Sequence, residues 1–196
     1  MAHSVPKITL HWLNNLLTVL VVLVGVYIVA APFVPAVRWW AQHQAPLVSS
    51  KPSAPTPKAN SPTAPADNTL VIPGLAMQET VHEGPTIYTL REGVWHLPQS
   101  STPDKGGNTV MAGHRFTYAG AAVFYNLDKV QAGNDIYMYW NRLRYHYQVS
   151  VVRVVAPTEI SVEAPTARPT LTIYTCTPLW STKQRLVIQA KLMEVS

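Results

Sequence analysis

A single cysteine, Cys176, among 196 residues excludes an internal disulfide, so whatever domain forms is held together by its core alone. Charged side chains make up only 13% of the chain, and the basic ones are scattered singly with no run of four or more Lys/Arg. From Asn68 onward 11 Lys and Arg stand against 9 Asp and Glu, so the formal surplus of +5 does not concentrate into a phosphate-binding surface, and nucleic acid is excluded as a partner. There is no nucleotide-binding glycine pattern and no internal repeat. No cysteine cluster or paired-histidine motif suited to zinc is present either, so neither a metal nor a cofactor is expected. The chain is long enough for one well-buried domain and too short for two of ordinary size with linkers.

The apolar residues are unevenly spread. Leu16 to Val34, LLTVLVVLVGVYIVAAPFV, carries no charged side chain, and at ~1.5 Å per residue such a run crosses the roughly 30 Å hydrocarbon core as a helix. Trp12 before it and Trp39 and Trp40 after it stand where aromatic rings favour the headgroup layer, with Arg38 beside them. The run exceeds a signal-peptide core and no clean Ala-x-Ala site follows, so an uncleaved anchor is expected rather than a removed leader. Lys7 on one side balances Arg38 and Lys51 on the other, which leaves orientation undecided by charge. Residues 44–67, QAPLVSSKPSAPTPKANSPTAPAD, hold six prolines among Ala, Ser and Thr; such a segment stays solvated and semi-extended, a stalk. The predicted organisation is a short N-terminus 1–15, a transmembrane anchor 16–34, a juxtamembrane segment and Pro-rich linker 35–67, and one domain 68–196.

From Thr69 the texture becomes short β-branched and aromatic runs punctuated by Gly, Pro, Asn and Asp: TLVIP (69–73), TIYTL (86–90), NTVMAGH (108–114), DIYMYW (135–140), RYHYQVSVVRVV (144–155), PTLTIYT (169–175) and RLVIQAKL (185–192). Seven or eight strands at this spacing predict a mainly β closed barrel or sandwich. Helical signals are few, with one or two turns expected in AAVFYNLDKV (121–130).

Cys176 ends one of these strands. A cysteine is a nucleophile only as its thiolate, so it needs a proton acceptor or a cation nearby. Four histidines lie in the domain: His82, His96, His114 and His146. His114 has the best local case, closing the strand NTVMAG at what would be a barrel rim, whereas His146 sits inside an alternating strand; spacing alone does not choose among the four. Arg185 begins the strand after the loop 177–184, placing it across a hairpin mouth from Cys176, where a guanidinium could hydrogen-bond a developing oxyanion. Thiol, imidazole and guanidinium suffice for acyl transfer.

Thr172-Ile173-Tyr174-Thr175-Cys176 resembles the Thr-Leu-x-Thr-Cys strand of the sortases, membrane-anchored cysteine transpeptidases of bacterial surfaces, with Ile in place of Leu, and Arg185 stands at that family's arginine position. GGNTVMAGHR (106–115) is similar to the stretch ending in the family's histidine, FYNLDKVQAGNDIYMY (124–139) to the segment that follows, and LVIPGLAMQETVHEG (70–84) to the opening strands. The resemblance covers about 69–193. It implies an eight-stranded sortase-type β-barrel with short helices, Cys176 as nucleophile, His114 as general acid and base, and Arg185 as binder of substrate and oxyanion. Thr175, Thr177 and Trp180 are implied as substrate-binding.

The implied substrates are surface proteins bearing a sorting signal of Leu-Pro-x-Thr-Gly type. The implied acceptor is an amine, from a cell-wall precursor or a pilin lysine. The implied topology puts the N-terminus inside and the catalytic domain outside the membrane. Thr177-Pro178 after the cysteine looks like classes D or E, and calcium dependence is not implied. Two other readings stay open on the residues alone: a membrane-tethered barrel that only binds a partner, with Cys176 an inert thiol, and a cysteine hydrolase or a different peptidoglycan transpeptidase.

Overall fold

The computed structural model describes residues 7–31, 34, 37 and 65–196. The chain divides into two units, Met1–Pro57 and Lys58–Ser196. In the first, helix α1 runs Lys7–Ala30, and every side chain from His11 to Ala30 is exposed. A helix apolar on all sides and covered by no protein surface is suited to a hydrocarbon solvent, and His11–Ala30 has the length and composition of one membrane span. Its polar Thr18 hydroxyl donates to the Asn14 carbonyl (2.9 Å), which satisfies it within the helix. The helix begins ahead of the anticipated Leu16. Trp39, Trp40, Arg38 and the proline-rich run 44–64 lie outside the described residues.

The second unit is a closed eight-stranded barrel. Its strands are β1 (Thr69–Ile72), β2 (Met77–Glu83), β3 (Val94–His96), β4 (Asn108–Ala112), β7 (Asp135–Trp140), β8 (Leu143–Val155), β9 (Thr170–Thr177) and β10 (Gln184–Val195). They are ordered β1-β2-β3-β4-β9-β10-β8-β7, while β5 (Phe116–Thr117) and β6 (Gly120–Ala121) make a separate small hairpin. Closure leaves the eight barrel strands without a continuous open edge. Alternation does the rest: β7, DIYMYW, buries every second residue, and Ile136 and Met138 join Leu70, Ile72, Phe124, Tyr147, Leu171, Ile173 and Ile188 in the central core. Asn141 and Arg142 both take positive φ (50° and 64°) in the two-residue turn joining β7 to β8, the conformation that matches strand twist in a tight hairpin.

One sequence expectation changes here. TIYTL (86–90) is not a strand but a 3-10 helix, Ile87–Arg91. β2 and β3 pair in parallel, so no hairpin can join them and the chain between must travel back along the sheet; residues 84–93 are that crossover, leaving Ile87 and Tyr88 exposed. The helical turn expected in 121–130 is a single 3-10 turn, Leu127–Lys129, whose Leu127 is buried. β2 lies within 70–84, the segment similar to the family's opening strands, although its alternation is weak, since MQETVHE buries only Met77 and Val81.

One register matters for the site. β4 and β9 are also parallel, pairing Val110 with Thr172 and Ala112 with Tyr174, so the C-terminal ends of both strands emerge side by side at one rim.

Candidate active site

β9 and β10 form the hairpin anticipated from the sequence, with Cys176 paired directly opposite Arg185. Directly opposed residues of an antiparallel pair project from the same face, so thiol and guanidinium share the outer side of the sheet. Arg185 Nη1 donates to the carbonyls of Thr182 (3.1 Å) and Gln184 (3.2 Å), which steadies the guanidinium at the hairpin mouth. Its other guanidinium nitrogens make no hydrogen bond among the described residues.

His114 follows β4 by two residues, as Cys176 follows by two the last β9 residue paired with β4. Gly113 carries the chain past the strand end: its N–H donates to the Tyr174 carbonyl (3.3 Å), extending the parallel pairing by a step. A Cβ on Gly113 would stand 2.5 and 2.7 Å from the Phe124 ring and 2.8 Å from Val123, so only glycine lets the loop 122–125 pack this tightly against the end of β4. Phe124 N–H in turn donates to the His114 carbonyl (3.0 Å).

Cys176, His114 and Arg185 all line one open groove of about 1460 Å³. Its floor is a small apolar cluster on the outer face of the barrel, in which Ala112, Trp95 and Tyr174 pack with Leu97, Val110 and Leu90. One wall is the β8–β9 connection, 156–169, whose 3-10 helix Ile160–Glu163 is tied down by Asn108. That buried amide donates to the Val162 (3.1 Å) and Ala164 (2.9 Å) carbonyls and accepts from the Thr172 hydroxyl (2.7 Å). The Tyr174 hydroxyl donates to Glu163 Oε1 (2.8 Å). Burial first and this hydrogen bond second hold the Tyr174 phenol well above the usual tyrosine range, so it stays a neutral donor at any physiological pH.

The opposite side carries Trp180, whose ring meets Phe116 of the β5–β6 hairpin edge-on at 3.6 Å between centroids while remaining 54% exposed at the groove. The two threonines expected to touch substrate are engaged inside the protein. Thr175 is 2% exposed and its hydroxyl donates to the Gly113 carbonyl (2.8 Å); Thr177 Oγ1 accepts from Arg115 Nη1 (3.0 Å). β9 alternates, so Thr175 faces the core when Tyr174 and Cys176 face the groove.

The other barrel histidines are drawn elsewhere. His82 pairs with Glu92 (3.2 Å) and His146 with Asp135 (2.8 Å). His96 is buried against Trp140, with Nδ1 on Glu83 (3.2 Å) and Nε2 on Ser100 Oγ (3.1 Å). That Ser-His-Glu alignment is structural, because Ser100 Oγ already donates to the Leu97 carbonyl (2.8 Å) and accepts from the Val110 N–H (3.1 Å). Sequence reasoning missed Arg115, which is buried and bound to two other segments, at Thr177 and at Tyr125 with Asp128; an arginine beside a candidate histidine was the available signal.

Comparison with known proteins bears on the family and the fold. Residues 70–193 match the family model of the Sortase domain. The chain is 26% identical over 122 residues to Sortase A of Bacillus anthracis, covering 62% of this chain and 57% of the relative, and 25% identical over 131 residues to Sortase SrtE1 of Streptomyces coelicolor, covering 62% and 36%. It thus spans roughly a third to three-fifths of the length of these curated relatives. Among solved structures, a Clostridium perfringens Sortase D5 transpeptidase superposes with a TM-score of 0.58 at 29% identity, covering 64% of this chain and 78% of that one. The lid mutant of sortase A from Corynebacterium diphtheriae does so with a TM-score of 0.59 at 28% identity, covering 64% and 69%. With the family model matched over most of the chain and the same barrel shared with solved members, this protein belongs to the sortase family.

Proposed function

We propose that the chain is a membrane-anchored cysteine transpeptidase that cleaves a C-terminal sorting signal of Leu-Pro-x-Thr-Gly type and transfers the acyl-threonine to an amine. The observation that carries this reading is the convergence of Cys176, Arg185 and His114 on one groove, from the β9–β10 pair and the parallel neighbour β4. The Cys176 thiolate attacks the threonine carbonyl carbon while the Arg185 guanidinium hydrogen-bonds the oxygen as it becomes an oxyanion. Collapse breaks the Thr–Gly C–N bond, and the departing glycine amine takes a proton from the His114 imidazolium. An incoming amine then attacks the thioester, gives its proton to the His114 imidazole and releases the Cys176 thiolate.

The apolar floor at Trp95, Ala112 and Tyr174 suits the uncharged side chains of such a signal, and Trp180 supplies an aromatic face beside the nucleophile. Thr177-Pro178, with relatives named Sortase SrtE1 and Sortase D5, favours a class D or E type. The acceptor is an amine of a cell-wall precursor or a pilin lysine. The apolar helix α1 anchors the chain once, with the N-terminus inside and the barrel outside, where surface proteins carrying the signal are reached.

The test uses the full-length chain in detergent micelles, with Leu-Pro-x-Thr-Gly and Leu-Ala-x-Thr-Gly peptides and a glycine-based amine, followed by mass spectrometry. A thioester on Cys176 and a ligated product are expected. Cys176→Ala abolishes both, and His114→Ala or Arg185→Ala lowers the rate by about 10²- to 10⁴-fold. Absence of any Cys176 adduct across a broad peptide set sinks the proposal, and hydrolysis without ligation makes the protein a cysteine hydrolase instead.

A further inference from the structure

His114 and Cys176 are each the middle residue of a tripeptide, Gly113-His114-Arg115 and Thr175-Cys176-Thr177, and the flanking residues of the two tripeptides are bonded to one another. Before the pair, the Thr175 hydroxyl donates to the Gly113 carbonyl (2.8 Å); after it, Arg115 Nη1 donates to Thr177 Oγ1 (3.0 Å). The first tie lies beside the last backbone bond between the two strands, Gly113 N–H to the Tyr174 carbonyl. The second lies beyond it, where the backbones no longer pair, and depends on a side chain reaching across.

Arg115 is built for that reach. It is 7% exposed, and its three guanidinium nitrogens serve three directions: Nη1 to Thr177, Nε to the Tyr125 carbonyl (3.2 Å), and Nη2 to Asp128 Oδ2 (2.8 Å). Asp128 neutralises the buried cation, and the planar fork fixes the three directions relative to one another, which an ammonium on a flexible stem cannot do. The segments so joined are the residue after the histidine, the residue after the cysteine, and the 3-10 turn 127–129 with the loop before it. No strand or helix spans these three.

We infer that Arg115, held by Asp128 and bonded to Thr177, is a positioning residue that sets the approach of the His114 imidazole to the Cys176 thiol. Arg115 acts through the two residues it borders and takes no proton in the reaction. The inference rests on the transpeptidase reading of the same groove. Proton transfer between a thiol and an imidazole requires hydrogen-bond reach, and a misplacement of about 1 Å can cost roughly 100-fold in rate; Arg115 borders the groove, but its three nitrogens are spent on protein partners, so the clamp acts mainly on kcat.

The experiment compares full-length wild type with Arg115→Lys and Thr177→Val in micelles, by steady-state ligation and by alkylation of the single thiol with iodoacetamide. Thr177→Val keeps the β-branched shape and removes only the acceptor, so it reports on the clamp even where Arg115→Lys folds poorly. Arg115→Lys is expected to lower kcat about 10- to 100-fold and Thr177→Val severalfold, with KM within about twofold. Arg115→Lys added to His114→Ala should cost nothing more, since the clamp then has no imidazole to place. Alkylation of Cys176 should slow in both single variants, because a displaced imidazole no longer draws the thiol proton.

A kcat within twofold of wild type in both variants, with thermal stability alone reduced, makes Arg115 merely structural and overturns the inference. Wild type that ligates no peptide sinks the transpeptidase reading separately. The alkylation rates then decide the clamp alone: slower in the variants supports it, and equal rates overturn it.

Discussion

Replacing Asn108 by alanine should detach the wall of the groove without touching its floor. The Asn108 side chain, 3% exposed, makes three hydrogen bonds: two from Nδ2 to the carbonyls of Val162 and Ala164, and one accepted from Thr172. Each is worth about 1 kcal/mol net, and a buried partner left unsatisfied adds roughly 1–3 kcal/mol. The Thr172 hydroxyl, fully buried, bears that penalty in full. The two carbonyls belong to the β8–β9 connection at the surface and regain part of it by moving out to water.

Three bonds and one full penalty come to about 4–6 kcal/mol, an upper bound that the carbonyls' recovery lowers, and each kcal/mol is worth about 3–4 °C in Tm for a barrel of this size. Thr172→Val removes one bond and strands the buried Asn108 Oδ1 but leaves the wall held, so it should cost about 2–4 kcal/mol, less than Asn108→Ala. Near-ultraviolet circular dichroism of the full-length chain, followed through thermal and urea unfolding, measures both. With wild-type residues otherwise in place, Asn108→Ala should also raise KM for the peptide while kcat changes less, because Ile160 and Glu163 line the groove away from the proposed proton-transfer pair. A loss below about 1 kcal/mol, or a loss equal to that of Thr172→Val, would refute the claim that one amide holds the connection down.

Two further outcomes follow from neighbouring contacts. Gly113→Ala forces a methyl to within 2.5–2.8 Å of Phe124 and Val123, so it should destabilise the barrel by about 1–3 kcal/mol and reduce ligation through displacement of His114, both read on the same preparation. Tyr174 has a raised pKa in the folded chain, so its stabilising contribution is complete below the unfolded value near 10 and is lost as pH rises beyond that. Urea midpoints measured between about pH 9 and 11 should therefore fall more steeply in wild type than in Tyr174→Phe; parallel curves would show that the buried phenol is not what the folded state protects.

What the sequence determined by itself was local. The uninterrupted apolar run named a membrane helix, alternation in DIYMYW named a half-buried strand, and a lone cysteine nine residues before an arginine across a turn placed Cys176 opposite Arg185, because an antiparallel hairpin has few registers open to it. The motif Thr-Ile-Tyr-Thr-Cys with Gly-His-Arg upstream carried the family resemblance, and with it His114. Tertiary structure decided what depends on contacts between distant parts of the chain. TIYTL has strand propensity, yet the parallel pairing of β2 with β3 makes it a crossover. Thr175 and Thr177 border the nucleophile, yet the pleat of β9 and the reach of Arg115 engage both hydroxyls within the protein. Asn108 reads as a strand residue and holds a loop more than fifty positions away. Propensity and periodicity are properties of neighbours along the chain, whereas a hydrogen-bond partner for a buried polar group is chosen only when the barrel closes.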